Sequence, residues 1–220
     1  MINIKVAYNR GRDVQVYLNY LYQFKSYKHG RNNIREELLN SYPEEFRIAL
    51  NNAPNRLEAA RVAKNYLKDR YIGKRSYFRK VALMLEEAWI KQRADIERQL
   101  ADLYGQKVPF QMIWVYYTTT PICPYNFRKR EIIVSYKRPI DVQINILKHE
   151  LNHFMFYNYF PELLEEFGKE KFESLKEALT VLTNPEEKGY PAQQKLRQWL
   201  KKQQGTIPEI ITQDKWKKYL

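Results

Sequence analysis

Residues 141–159 read DVQINILKHELNHFMFYNY, with Pro139 just before the stretch and Pro161 just after it. Proline interrupts helices, so the pair brackets one predicted helix. Within it Val142, Ile146, His149, His153 and Phe156 recur every three or four residues, the spacing that gathers side chains on one helical face. His149 and His153 then stand one turn apart, with Glu150 beside the first. Two imidazoles so placed can bind one metal ion without bending the backbone. The adjacent carboxylate can take a proton from a water that attacks a carbonyl. The chain has three histidines and 19 glutamates, which makes a chance HExxH on the order of a few in a thousand. A helix with histidines that merely hydrogen-bond in the core explains a lone histidine, but poorly explains a pair at ligand spacing.

A catalytic zinc takes three protein ligands and leaves a fourth position for water. No histidine follows His153; Phe156 and Tyr159 stand where the extended pattern HExxHxxGxxH has Gly and His. His29, the remaining imidazole, lies far upstream in a basic region and reads as a surface or capping residue. The third ligand is therefore expected among Glu162, Glu165, Glu166, Glu170, Glu173 and Glu177. Glu177 stands out, because the six residues after it, ALTVLT, carry no charge. A carboxylate at the edge of a buried stretch needs a partner, and a metal supplies one. Glu173 comes next, and the others sit among lysines as a solvated face.

Outward from this helix, residues 76–104 form the longest predicted helix, with Val81, Leu85, Trp89, Ile96, Leu100 and Leu103 in register and Gly105 as its stop. Residues 110–117 and 131–136 are β-branched and aromatic runs that predict strands, and residues 2–8 predict another. The segment between the two runs, 118–130, holds Pro121 and Pro124 and reads as a loop. Further helices are expected over 13–27, 32–42, 44–51 and 56–71, and downstream over 169–183, 193–203 and 214–220. Helices around a small sheet make an α+β chain.

Composition narrows the function classes. The 220 residues include 18 Tyr, 10 Phe and 4 Trp, too much aromatic surface for disorder over most of the length. One cysteine excludes a disulfide framework and multi-cysteine zinc sites. Neither GxGxxG nor GxxxxGKS/T is present to cradle phosphate. The longest uncharged run, 108–127, has the length of a membrane span but holds three prolines and three consecutive threonines. No membrane association is expected, and with no apolar signal core the expected location is cytoplasmic. The net +13 is uneven: +10 over 1–80, +2 over 81–130, −4 over 131–188 and +5 over 189–220.

HExxH with Glu177 placed 24 residues after His153 resembles the zincin metallopeptidases, and within them the gluzincin branch. The order over 76–185 of backing helix, short sheet, metal helix and glutamate helix is most similar to the minigluzincins. The resemblance implies a zincin-like core at 76–188 and leaves the flanks unexplained; charge and pattern set off a basic helical region at 1–75 and a basic helical tail at 189–220, and all three fit one compact domain. It implies one Zn2+ held by His149, His153 and Glu177, with Glu150 as general base. The implied activity is zinc-dependent endopeptidase cleavage of a polypeptide lying along a sheet edge, for which 131–136 is the candidate. Gluzincins often add a side chain that stabilises the oxyanion, here Tyr190 or Tyr157. Some carry an aspartate four residues after the ligand glutamate; Val181 occupies that place, so nothing is identified to orient the histidines. Cys123, in the loop TPICP, invites a thiolate plug for the open metal position, against an ordinary loop cysteine. A different reading comes from the basic N-terminal block with its tyrosines, at 66–71 and 74–77. It is nucleic-acid binding with a structural or regulatory metal site, against a plain solvated basic surface.

Overall fold

The computed structural model describes residues 1–22 and 34–220. The fold is α+β. Four strands, β1 (Asn3–Tyr8), β2 (Met112–Thr118), β3 (Tyr125–Asn126) and β4 (Glu131–Ser135), form a mixed sheet in the order β1-β2-β4-β3. The first three in that order run parallel, and β3 is antiparallel at the edge. The helices are α1 (Arg10–Tyr17), α2 (Ile34–Asn40), α3 (Glu44–Asn51), α4 (Arg56–Tyr71), α5 (Arg75–Tyr104), α6 (Ile140–Tyr159), α7 (Glu162–Leu179), α8 (Gln194–Leu200) and α9 (Ile207–Thr212).

The alternation along β2 gives the sheet two unlike faces. Ile113, Val115 and Tyr117 are fully buried, while Met112 and Trp114, which alternate with them, are exposed. The buried face packs on α5 and α6 in one core that joins Leu85, Trp89 and Leu100 to Ile132, Leu147 and Leu151. The same core takes in Leu196 and Leu200 of α8, Ile207 and Ile210 of α9, and Trp216, so the basic tail is built into the central body. The outer edge of β1 is closed by carboxylates of α5: Val6 N–H donates to Glu86 at 2.8 Å, and Ile2 N–H donates to Glu97.

A second apolar cluster joins α1, α3 and α4 through Tyr17, Phe46, Leu50 and Leu67. Asp13 ties it to the sheet from full burial. Its carboxylate accepts from Thr118 Oγ1 at 2.6 Å, Thr119 Oγ1 at 2.9 Å and Tyr71 OH at 3.1 Å. Of the tyrosines interleaved with the N-terminal charge, Tyr66 stacks on Phe46 with centroids 4.1 Å apart and Tyr71 lies 4.6 Å from Tyr8, both half-buried, while Tyr77 is exposed.

Four departures from the sequence expectations have local causes. Segment 131–136 is not an edge: the loop before it doubles back, so Ile133 N–H donates to Pro124 O at 2.8 Å and Ser135 N–H donates to Cys123 Sγ at 3.4 Å. The covering strand β3 has two residues, too short to show a period. The helix α7 starts at Glu162, and Gly168 (φ 72°, ψ 165°) breaks it. The tail carries only a 3-10 turn at Lys217–Tyr219, while α9 forms upstream on a Thr206/Glu209 capping box. The helix α1 starts at Arg10, its N-terminus capped by Asn9, and passes into a π-helical turn at Leu18–Tyr22. The remainder of the helix expected over 13–27, the start of that over 32–42, and His29 lie outside the described residues. No helix of the described residues is long and apolar enough to cross a membrane.

Candidate metal centre

The face of α6 that the periodicity singles out is a cleft wall. Val142, Ile146 and His149 are half-buried along it, and every residue from Glu150 to Phe156 is buried. Asn152, inside the motif, fixes the helix in place. Tyr104 OH donates to Asn152 Oδ1 at 2.9 Å, and Asn152 Nδ2 donates to Thr183 Oγ1 at 3.2 Å. α6 is thereby tied to α5 and to the turn that follows α7.

His149, His153 and Glu177 meet, each offering one ligand atom, all within 4.8 Å of one another. His149 Nε2 lies 3.5 Å from Glu177 Oε2, and His153 Nε2 lies 3.2 Å from Glu177 Oε1. Ligands at about 2.0–2.1 Å from a tetrahedral ion stand about 3.3–3.4 Å apart, close to both of these separations, which run to different oxygens of the one carboxylate. Three buried atoms here, Nδ1 and Nε2 of His153 and Oε2 of Glu150, lack a hydrogen-bond partner, although His153 Nε2 lies 3.2 Å from Glu177. Glu162, Glu165, Glu166 and Glu170 are exposed. Glu173 accepts from Lys176 Nζ at 2.7 Å and from Tyr157 OH, which occupies its carboxylate.

The charges of the cluster are set by its burial. Burial opposes ionisation of Glu177, but His153, His149 and Lys176 overcome it and hold the carboxyl well below its ordinary range. Burial, helped by Lys176, depresses His153 to about 3 and leaves it a neutral donor. Burial also acts against the charged form of His149, yet hydrogen bonds to Glu177 and Glu187 lift it to about 10. Glu150, only 6% exposed, is pushed up by burial to about 8, against the pull of His149. A cleft of about 530 Å³ opens beside it, between Val142, Asn145 and Ile146 on α6 and Asn184, Pro185 and Glu187 on the loop after α7.

Tyr190 and Tyr157 part company. Tyr190 is pushed up to about 12 by burial and then by Glu177 and Glu150, so its hydroxyl answers to the charges of the cluster. The Tyr157 hydroxyl donates to Glu173 and lies 3.5 Å from that of Tyr125. Cys123 lines the cleft but is not among the converging ligand atoms; its Sγ accepts from Ser135 N–H, and burial pushes the thiol up.

Three residues escaped the sequence reading. Glu187 accepts from His149 Nδ1 at 3.0 Å, which turns Nε2 toward Glu177. Arg197 of α8 donates to the carbonyls of Glu177 at 3.0 Å and Glu187 at 2.8 Å, clamping both carboxylate-bearing segments. This close passage needs glycine at 189, where φ is +61° and a Cβ would fall 2.6 Å from Arg197 Nε. Lys176, 1% exposed, sits 3.3 Å from Glu177 Oε1. None has a one-dimensional signature: each lies in a charge-rich stretch that reads as solvated. Glu187→Gln is expected to weaken zinc binding about 10–100-fold, as measured by competition with a chromogenic chelator. An unchanged affinity would remove Glu187 from the support of His149.

No family model, curated protein or solved structure matches the chain.

Proposed function

We propose that the protein is a zinc-dependent metallopeptidase of the gluzincin type. The observation that carries this is the meeting of His149, His153 and Glu177 at ligand spacing, with Glu150 Oε2 unpartnered beside a cleft. Two imidazoles and a carboxylate suit zinc among the common divalent ions. Bound there, zinc would supply Lewis-acid polarisation of a carbonyl and a water acidified towards neutral pH.

The remaining work belongs to the chain. Glu150 Oε2 accepts the proton of the attacking water and returns it to the departing amine, a base and then an acid whose affinity for the proton burial has raised. Tyr190 OH donates to the oxygen that gains charge as the carbonyl is attacked. Glu187 and Arg197 keep His149 and Glu177 aimed. β3 is the outer strand of the sheet, and Cys123 just before it lines the cleft. An extended polypeptide is the substrate class that such an edge holds, by adding a strand.

The test is incubation of the zinc-loaded chain with unfolded polypeptides and mass spectrometry of the products. New internal fragments are expected, lost on chelation and restored by zinc. Fully loaded protein that yields no fragments from any unfolded polypeptide would end the peptidase reading.

A further inference from the structure

We infer that the open face of the sheet, opposite α5 and α6, binds single-stranded nucleic acid. This stands apart from the peptidase reading. Strand register places Lys5, Trp114 and Glu131 in one row of this face, and Ala7, Tyr116 and Ile133 in the next. Trp114 and Tyr116 hold their rings nearly coplanar in orientation, 8° apart with centroids separated by 6.3 Å. Trp114 is 37% exposed and Met112, at the end of the same strand, 40%. Each ring is flanked by a cation: Lys5 Nζ lies 5.3 Å from Trp114, and Arg12 Cζ 5.4 Å from Tyr116.

The charge around the rings is one-sided. Glu131, the carboxylate in these rows, is buried and paired with Arg12. Arg128, Lys129 and Arg130 are exposed in the turn that leads into β4. That turn meets the strand at Trp114, whose N–H donates to the Arg130 carbonyl at 2.9 Å; the Arg130 guanidinium itself lies against buried Phe110, which leaves Arg128 and Lys129 for the rim. Parallel aromatic rings stack on the faces of bases, and the surrounding cations meet phosphates. Only a single strand offers both at once, because a duplex hides its base faces. A second copy of this chain would bring the same positive rim against itself and be repelled.

The experiment is fluorescence anisotropy of a labelled oligo(dT) titrated with the full chain across a salt series, alongside tryptophan fluorescence. Binding is expected to weaken linearly in log salt, with tryptophan quenching. Trp114→Ala should weaken it about tenfold or more, and Trp114→Phe should retain most of it. Replacing Arg128 and Lys129 by Ala should flatten the salt slope by about 0.7 for each phosphate left without its cation. Circular dichroism melts check that each variant folds. No binding at low salt, equal binding by a folded Trp114→Ala variant, or equal competition by a duplex would overturn the inference. So would concentration-dependent self-association that Trp114→Ala abolishes, without oligonucleotide binding, since the face would then belong to a second copy.

Discussion

Glu150→Gln is expected to keep about one zinc ion per chain and to lower hydrolysis of unfolded polypeptide about 10²–10⁴-fold. The exchange preserves the size and shape of a side chain that is buried to 6% exposure, so the packing of α6 is unchanged. It removes the one property the mechanism uses, the ability of Oε2 to accept and release a proton. The same variant should be more stable than the parent when both are stripped of metal. Burial raises the Glu150 carboxyl from 4.5 to about 8, so between those values the folded chain holds a proton that the unfolded chain has released. Stability from this group therefore falls as pH rises through that window, and glutamine escapes the loss. Urea midpoints near pH 5 and pH 8 should show the advantage of the variant growing. Retained cleavage by Glu150→Gln would mean that another group is the base.

His153→Ala and Glu177→Ala should each abolish stoichiometric zinc in elemental analysis, but they should differ in what they do to the fold. His153 is neutral and makes no aligned hydrogen bond through Nε2, so its loss leaves chiefly a cavity. Glu177 also faces Lys176, whose ammonium is 1% exposed and lies 3.3 Å away. Breaking a buried pair costs about 3–5 kcal/mol, reduced here by Glu173, which stays 2.7 Å from the same ammonium. Glu177→Ala should therefore have the lower denaturation midpoint of the two. Zinc uptake by the parent should strengthen with pH, by about tenfold per unit. The reason is that hydrogen bonds to two carboxylates outweigh burial and keep a proton on His149 up to about 10, and the metal must displace it. A full zinc complement in either variant would remove that residue from the ligand set.

What the sequence conceals follows from where each interaction is closed. α6, α3 and α4 match their expected limits within a residue or so, because proline breaks and three-to-four spacing act within one helix. Glu177 was legible for a similar reason: the uncharged run after it is buried, with Ala178, Leu179, Thr180 and Val181 all inside. Lys176 beside it looks like any lysine of a charged helix. Its burial is compensated by Glu173 one turn back and by Tyr125, which comes from a different part of the chain. Glu187 and Arg197 belong to the same class, since their partners are set by how the loop after α7 folds back on α6.

The clamp formed by Arg197 also comes late in the chain relative to the residues it joins. A ribosome makes His149 and His153 first, then Glu177, then Glu187, and Arg197 only afterwards. Thr180 Oγ1 already donates to the Glu177 carbonyl at 2.8 Å, and Arg197 adds a second donor there and one to the Glu187 carbonyl, passing Gly189 on the way. The HExxH motif is therefore complete in the chain well before the residue that joins the two carboxylate-bearing segments.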